Sequence, residues 1–142
     1  MPVVPINYAA VVVAAVASMA IGFAWYGPLF GKQWMALSGI TPEKIATDKK
    51  KGMNKLYALA MLGSLVMSYV LAHALVFSST YMKVSGVMAG VQVGFWNWLG
   101  FVVPVTLGSV LWEGKSWKLW LLNNGYYLVT LKVMGVILAV WK

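Results

Sequence analysis

Cysteine and arginine are both missing from this chain, histidine occurs once, and only three residues are acidic. Without cysteine there is no disulfide, no thiolate nucleophile and no cysteine-ligated metal. His73, Glu43, Asp48 and Glu113 are too few for a histidine–carboxylate metal centre within one chain, so no metal and no cofactor is expected. No nucleophile–base pair, phosphate loop or metal motif stands in the sequence, which argues against an enzyme. Charge itself is scarce. Charged residues make up 10% and hydrophobic residues 61% of the 142, where a soluble domain carries about 25% and about 45–50%. So little charge leaves a water-soluble surface uncovered, and lipid is the expected solvent.

What is present is organised in long apolar runs. A hydrocarbon core about 30 Å thick takes about 20 apolar residues as a helix, and four stretches meet that length: 6–26, 56–77, 84–111 and 117–141. The expected architecture is an all-α membrane protein, one domain over residues 1–142, with four transmembrane helices in a bundle. The first run is read as a retained helix, not a cleaved signal, because Met1-Pro2-Val3-Val4-Pro5 carries no basic side chain and a signal peptide opens on one.

All eleven basic residues are lysine, and they are unevenly placed. Lys32, Lys44, Lys49, Lys50, Lys51 and Lys55 follow the first run, and Lys115 and Lys118 follow the third. Only Lys83 and Lys142 fall on the other side. Excess lysine marks the cytoplasmic face, so both termini are expected outside a bacterial inner membrane. A formal charge of +8 then reads as orientation and attraction to anionic headgroups, and no nucleic-acid partner is expected. Within the first loop, Thr41-Pro42-Glu43 supplies a capping hydroxyl, a first-position proline and a first-turn acid. Together they predict a short interfacial helix running toward Lys51 before Gly52.

Helices in lipid associate through close packing of small residues spaced four apart. Ala10, Ala14, Ser18 and Gly22 form one such ladder, Ala60, Ser64, Ser68 and Ala72 a second, and Gly86, Gly90 and Gly94 a third. These ladders predict tight helix contacts and, with the polar residues of the fourth run, self-association. Trp25, Trp34, Trp112, Trp117, Trp120 and Trp141 fall near the predicted interfaces, where indole rings prefer to lie. Trp96 and Trp98 flank Asn97 at depth, and packing is their expected role. Lys55-Leu56-Tyr57 against Lys118-Leu119-Trp120, and Gly22-Phe23 against Gly94-Phe95, are faint internal echoes.

Polar side chains at membrane depth carry the candidate sites. On the outer half His73, Gln92 and Lys132 fall at similar depth on three helices, and are expected to approach one another around a small cavity. The alternative is that Lys132 extends its stem to the headgroups. On the inner half are Asn123, Asn124, Tyr126, Tyr127 and Glu113, with Asn97 near the middle. Glu113, in the turn Trp112-Glu113-Gly114-Lys115, is expected to pair with a nearby lysine. The candidate ligand-binding residues are thus His73, Gln92, Lys132, Asn97, Glu113, Asn123 and Tyr127; no catalytic residue is assigned.

Three blocks also carry a resemblance. Trp25-Tyr26-Gly27-Pro28-Leu29-Phe30-Gly31-Lys32-Gln33-Trp34 is the first; Trp98-Leu99-Gly100-Phe101 with Pro104 and then Leu111-Trp112-Glu113-Gly114-Lys115 is the second; Asn123, Gly125-Tyr126-Tyr127-Leu128 and Met134-Gly135 form the third. In that order they resemble the domain of unknown function 1761 family. Trp112 stands where the family usually has phenylalanine. The resemblance implies a small four-helix bacterial membrane protein, marks Trp25, Tyr26, Pro28, Gly31, Trp34, Pro104, Glu113, Gly114, Gly125 and Tyr126 as family-motif residues, and implies no activity. The reading drawn from all of this is a homo-oligomeric binder or conduit for a small or lipid-like ligand. A membrane-embedded enzyme using Glu113 or His73, and an accessory subunit of a larger complex, are the alternatives.

Overall fold

A computed structural model describes residues 3–141; Lys142, counted above among the outer lysines, and the first two residues lie outside that range. All regular structure among the described residues is helical. Helix α1 spans Tyr8–Ala24 and runs without a break into a wide five-residue turn, Trp25–Leu29. Two short helices follow, α2 at Gly31–Ser38 and α3 at Pro42–Lys51, and then the long α4 at Asn54–Met82. The third apolar run is divided. It forms α5 at Gly86–Asn97, a second wide turn at Trp98–Val102, and two single-turn helices, α6 at Val103–Thr106 and α7 at Gly108–Leu111. Helix α8 covers Trp117–Val140. Four of these stretches, Tyr8–Leu29, Asn54–Met82, Gly86–Leu111 and Trp117–Val140, are long and apolar enough to cross a membrane.

Local chemistry sets the ends. Asn7 caps α1 by accepting the amides of Ala9 and Ala10, and Ser116 caps α8 by accepting that of Leu119. Thr41 Oγ1 accepts the amide of Lys44 to open α3, and Gly52, at φ +92°, closes it. Helix α3 buries no residue. Its charges are internal, with Lys44 Nζ 3.0 Å from Asp48, and it presents charge to its surroundings, not an apolar face.

The two wide turns have one cause. Proline lacks the amide for the i−4 bond and its ring collides with that carbonyl, so a helix carrying proline must loosen upstream. Pro28 lies inside the first wide turn, and Pro104 follows the second by two residues. The apolar run read from sequence as 84–111 corresponds to the helical stretch Gly86–Leu111, within which the wide turn precedes Pro104 and a single turn residue, Leu107, separates α6 from α7.

Helix α8 is the centre of the assembly and is antiparallel to both α1 and α5. Asn7 Nδ2 donates to the Trp141 carbonyl at 3.2 Å, while Trp25 Nε1 donates to that of Leu122 at 3.1 Å. These contacts put Asn7 and Trp141 at one end of the assembly, and the connections 30–53 and 112–116 at the other. The closest approach is between α5 and α8. A methyl group at Gly90 would run into the carbonyl of Gly135, one at Gly135 would run into that of Gly90, and one at Gly94 would meet Leu131. Two of the three rungs on the third run are therefore true backbone contacts. Gly86 is not; it sits at φ +68° with open space around it. The ladder on α1 is buried at Ala10, Ala14 and Ser18. On α4 the ladder is buried at Ser64, Ser68 and Ala72, whereas Ala60 is exposed. Ser18 and Ser64 share a hydrogen bond of 3.0 Å, and Ser68 Oγ donates to the Val11 carbonyl at 2.9 Å.

Trp96 does not pack inside. It is 63% exposed, because the turn that brings Gly90 and Gly94 onto α8 points position 96 away from it. Trp98 faces inward and donates its indole N–H to the Asn124 carbonyl at 2.8 Å.

The glycine contact yields a direct test. Gly90→Leu should lower stability in detergent by about 1–3 kcal/mol, the usual range for overpacking, because the opposing atoms are backbone and have nowhere to move. Gly63→Ala, at a helical glycine with nothing within 4 Å of the added carbon, should leave the melting temperature unchanged or raise it. Equal effects of the two would show that α5 and α8 are not in backbone contact.

Candidate functional site

At the end of the assembly opposite Asn7 and Trp141, a cavity of about 690 Å³ opens between the first wide turn, α2, α6, α7 and the first half of α8. Its aromatic walls are Tyr26, Trp34, Trp120 and Tyr127, and its polar ones include Thr106, Glu113, Lys115 and Asn123.

The first wide turn positions one wall. Released from α-helical register, Trp25 and Tyr26 both reach α8. Tyr26 Oη donates to Asn123 Oδ1 at 2.8 Å, and Trp25 makes the Leu122 contact described above. Glycines make room for these side chains. A methyl on Gly125 would lie 3.2 Å from the Trp25 ring, one on Gly31 2.9 Å from the Tyr26 carbonyl, and one on Gly22 3.2 Å from the Tyr126 hydroxyl. That hydroxyl donates to the Ser18 carbonyl at 3.1 Å. Tyr26 stacks edge-on with both Trp34 and Tyr126, ring centres 5.3 Å apart in each pair.

Thr106 builds the opposite wall. Its hydroxyl donates to the Val102 carbonyl at 2.7 Å, inside the loosened turn, and accepts Trp120 Nε1 at 3.1 Å and Asn124 Nδ2 at 3.0 Å. Asn124, 2% exposed, also donates to the Trp120 carbonyl at 2.9 Å. This side is internally satisfied and holds α6 against α8.

At the mouth, Gly114 adopts φ +71°, and the Lys115 amide donates to the Ser109 carbonyl at 3.0 Å. The resulting turn leaves both Glu113 and Lys115 lining the cavity. The expected pairing of Glu113 with a lysine is corrected here: among the described residues the salt bridge is Lys44–Asp48, and Glu113 has none.

Of the residues picked out from sequence, the structure brings Glu113, Asn123 and Tyr127 together with Tyr26 and Trp34 in this cavity. Trp25, Gly31, Gly125 and Tyr126 stand behind it as spacers and supports; Pro28 and Pro104 release the turns and Gly114 shapes the mouth. Asn97 lies apart, its amide donating to the Val93 carbonyl of its own helix at 2.8 Å.

The outer group is arranged differently from expectation. His73, Gln92 and Lys132 share no hydrogen bond among the described residues. His73 Nδ1 lies 2.8 Å from the Tyr69 carbonyl one turn back, and Lys132 Nζ lies 5.7 Å from the centre of the Phe95 ring. An aromatic face attracts a cation electrostatically, so Lys132 has a partner without an acid. A smaller cavity of about 380 Å³ does exist at that end, but Ile6, Asn7, Leu75, Ser79, Leu138 and Trp141 are among its lining residues and the three polar ones are not.

Trp34 and Trp120, assigned to the membrane interface from their position, are cavity walls. Thr106 escaped the sequence reading altogether; its hydroxyl bonds the Val102 carbonyl one turn back, as a threonine does in any helix, so spacing alone did not single it out.

The geometry can now be set beside known proteins. A model of the proteins of unknown function DUF1761 matches residues 9–139, a range that includes every motif residue placed above. The chain belongs to the DUF1761 family. No curated protein and no solved structure matches it. Within this DUF1761 protein the motif residues fall into two groups, those that line the cavity and those that hold its walls in place.

The hub residue supplies the prediction. Thr106→Val keeps the shape but leaves the Trp120 indole and the Asn124 amide without their acceptor, and stranding buried donors costs about 1–3 kcal/mol. The melting temperature in detergent should fall accordingly, and Trp120 emission should shift as its hydrogen bond is lost. An unchanged melting curve would remove Thr106 from the support of the site.

Proposed function

We propose that this protein is a multi-pass membrane protein that binds a small or lipid-like ligand in the cavity between the first wide turn and α6–α8. The observation carrying this is the state of the lining groups. Thr106 and Asn124 are fully engaged with the protein, whereas the half-buried Asn123 Nδ2 and Tyr127 hydroxyl have no hydrogen-bond partner among the described residues, and Glu113 and Lys115 stand exposed beside them without a salt bridge. Groups whose hydrogen bonds are unspent, set among aromatic walls, are what a binding site offers.

Binding is favoured over conduction by the packing between the two cavities. Ala14, Ala15, Ser68, Thr130 and Met134 are each at most 1% exposed, and the Gly90–Gly135 contact closes the α5 side. No nucleophile–base pair accompanies Glu113, so the enzyme reading gains no support. Purified protein should carry a non-covalent ligand detectable by native mass spectrometry. Ser109→Phe, which fills the cavity from α7, should abolish that adduct; retention of the same adduct would place the ligand elsewhere.

The lysine distribution gives the orientation in the same reading, in a bacterial inner membrane with both termini outside and α3 over the anionic headgroups of the cytoplasmic face by charge alone. The chain's lack of cysteine makes this easy to test. Lys50→Cys should react only with membrane-permeant reagents in intact cells, and Lys83→Cys also with impermeant ones. The reverse pattern would invert the topology. Self-association belongs to this proposal too: Gly63 and Ala60 on α4 offer a small-residue face that no helix of the same chain covers. Mass measurement in mild detergent should give more than one copy, and a monomer at all concentrations would count against it.

A further inference from the structure

The cavity's charges narrow the ligand, on the reading just given that the cavity is a binding site. Glu113 and Lys115 have opposite sign, line the same cavity, and are not paired with each other. A ligand of one charge would satisfy one of them and be repelled by the other. A ligand carrying both charges satisfies both. The same cavity has aromatic walls, from Tyr26, Trp34, Trp120 and Tyr127, and ring faces attract a cation. The Asn123 side chain also lines it; its oxygen is already taken by Tyr26, leaving only N–H donors to offer to an anion.

The walls also show which end of the ligand lies outside. Val105 lines the cavity and is 73% exposed, and Phe101 in the second wide turn and Leu111 at the end of α7 are 73% and 54% exposed. An apolar surface therefore continues from the cavity onto the outer face of a stretch long and apolar enough to cross a membrane. A water-soluble zwitterion has no use for such a surface. An amphiphile does, because its chains can lie along it.

We propose that the cavity takes the headgroup of a zwitterionic phospholipid bearing a primary amine, with the ammonium held by Glu113 between the aromatic walls. The phosphate meets Lys115 and the Asn123 amide, and the acyl chains run along Val105 and the outer face of α6 and α7. No bond is made or broken. The site recognises the lipid and holds it.

The test compares three probes on the purified full-length protein by native mass spectrometry in mild detergent: phosphatidylethanolamine, phosphatidylglycerol and free phosphoethanolamine. Phosphatidylethanolamine should bind about tenfold more tightly than phosphatidylglycerol, the scale of one charge-assisted hydrogen bond, and free phosphoethanolamine should leave no adduct at the same concentration. Glu113→Gln should bring the two lipids level by weakening the ethanolamine form alone. Lys115→Gln should weaken both, since both carry the phosphate. Quenching of tryptophan emission by brominated acyl chains gives a second readout of the same order of preference.

Equal binding of the two lipids by the unaltered protein, or a preference untouched by Glu113→Gln, overturns the headgroup assignment. Binding of free phosphoethanolamine as tight as that of the lipid overturns the amphiphile. Ser109→Phe separates these failures from that of the underlying reading. Loss of all adducts in that variant, with no preference between lipids beforehand, rejects only the headgroup, whereas adducts that survive it reject the cavity as the site.

Discussion

The contact on which the rest of the molecule depends is the meeting of α5 and α8 at Gly90, Gly94, Gly135 and Leu131. In lipid no water is released when helices meet, so close van der Waals approach and short-range polar contacts hold them together. Two backbones touching at two points one turn apart set the distance of later positions on α5 from α8. Trp98 then lies within reach of the Asn124 carbonyl, the helix loosens ahead of Pro104, and Thr106 is delivered beside Trp120 and Asn124. Side chains in place of the glycines would separate the helices and carry Thr106 out of reach.

The first wide turn performs the same operation from the other side of α8. Both turns begin at a tryptophan whose indole donates to a carbonyl of α8, Trp25 to Leu122 and Trp98 to Asn124. The α8 backbone already bonds within its own helix, so it accepts these through second lone pairs, and the two rings grip it two residues apart. The grip falls where the cavity begins. The same prolines that prevent regular helix therefore open the space between α1 and α6 and aim Tyr26 into it. Gly22-Phe23 and Gly94-Phe95, the faint sequence echo, stand just before these turns in both stretches.

Polar groups within the assembly differ in how far the protein completes their hydrogen bonds, and the buried Thr130 Oγ1 has no partner among the described residues. Ser18, Ser64, Ser68, Tyr126, Thr106 and Asn124 have their hydrogen bonds completed by the protein and act as joints. Glu113, Lys115, Tyr127 and the Asn123 amide stand at the cavity without such completion. Depth alone does not account for the difference. His73 and Asn97, both polar and both within helices long enough to span a bilayer, each bond a carbonyl one turn back, which satisfies them without any partner helix.

Much of this was readable in the chain before it folded. Scarce charge and long apolar runs required helices long enough to span a membrane, small residues four apart marked most of the contact faces, and Thr41-Pro42 marked the start of α3. The motif blocks pointed to the family, and three of the polar residues singled out, Glu113, Asn123 and Tyr127, line one cavity. These features are local, written in composition and in spacing within one helix. The partner of Gly90, the acceptor of Trp120 and the failure of Glu113 to pair with Lys115 were not legible, because each depends on the distance between segments far apart in sequence. Periodicity says which face of a helix is small or polar, but not which helix will meet it, or at what height. The turn at Gly114 is local, but it faces a cavity only because tertiary packing has set Tyr26, Trp34 and Thr106 around it.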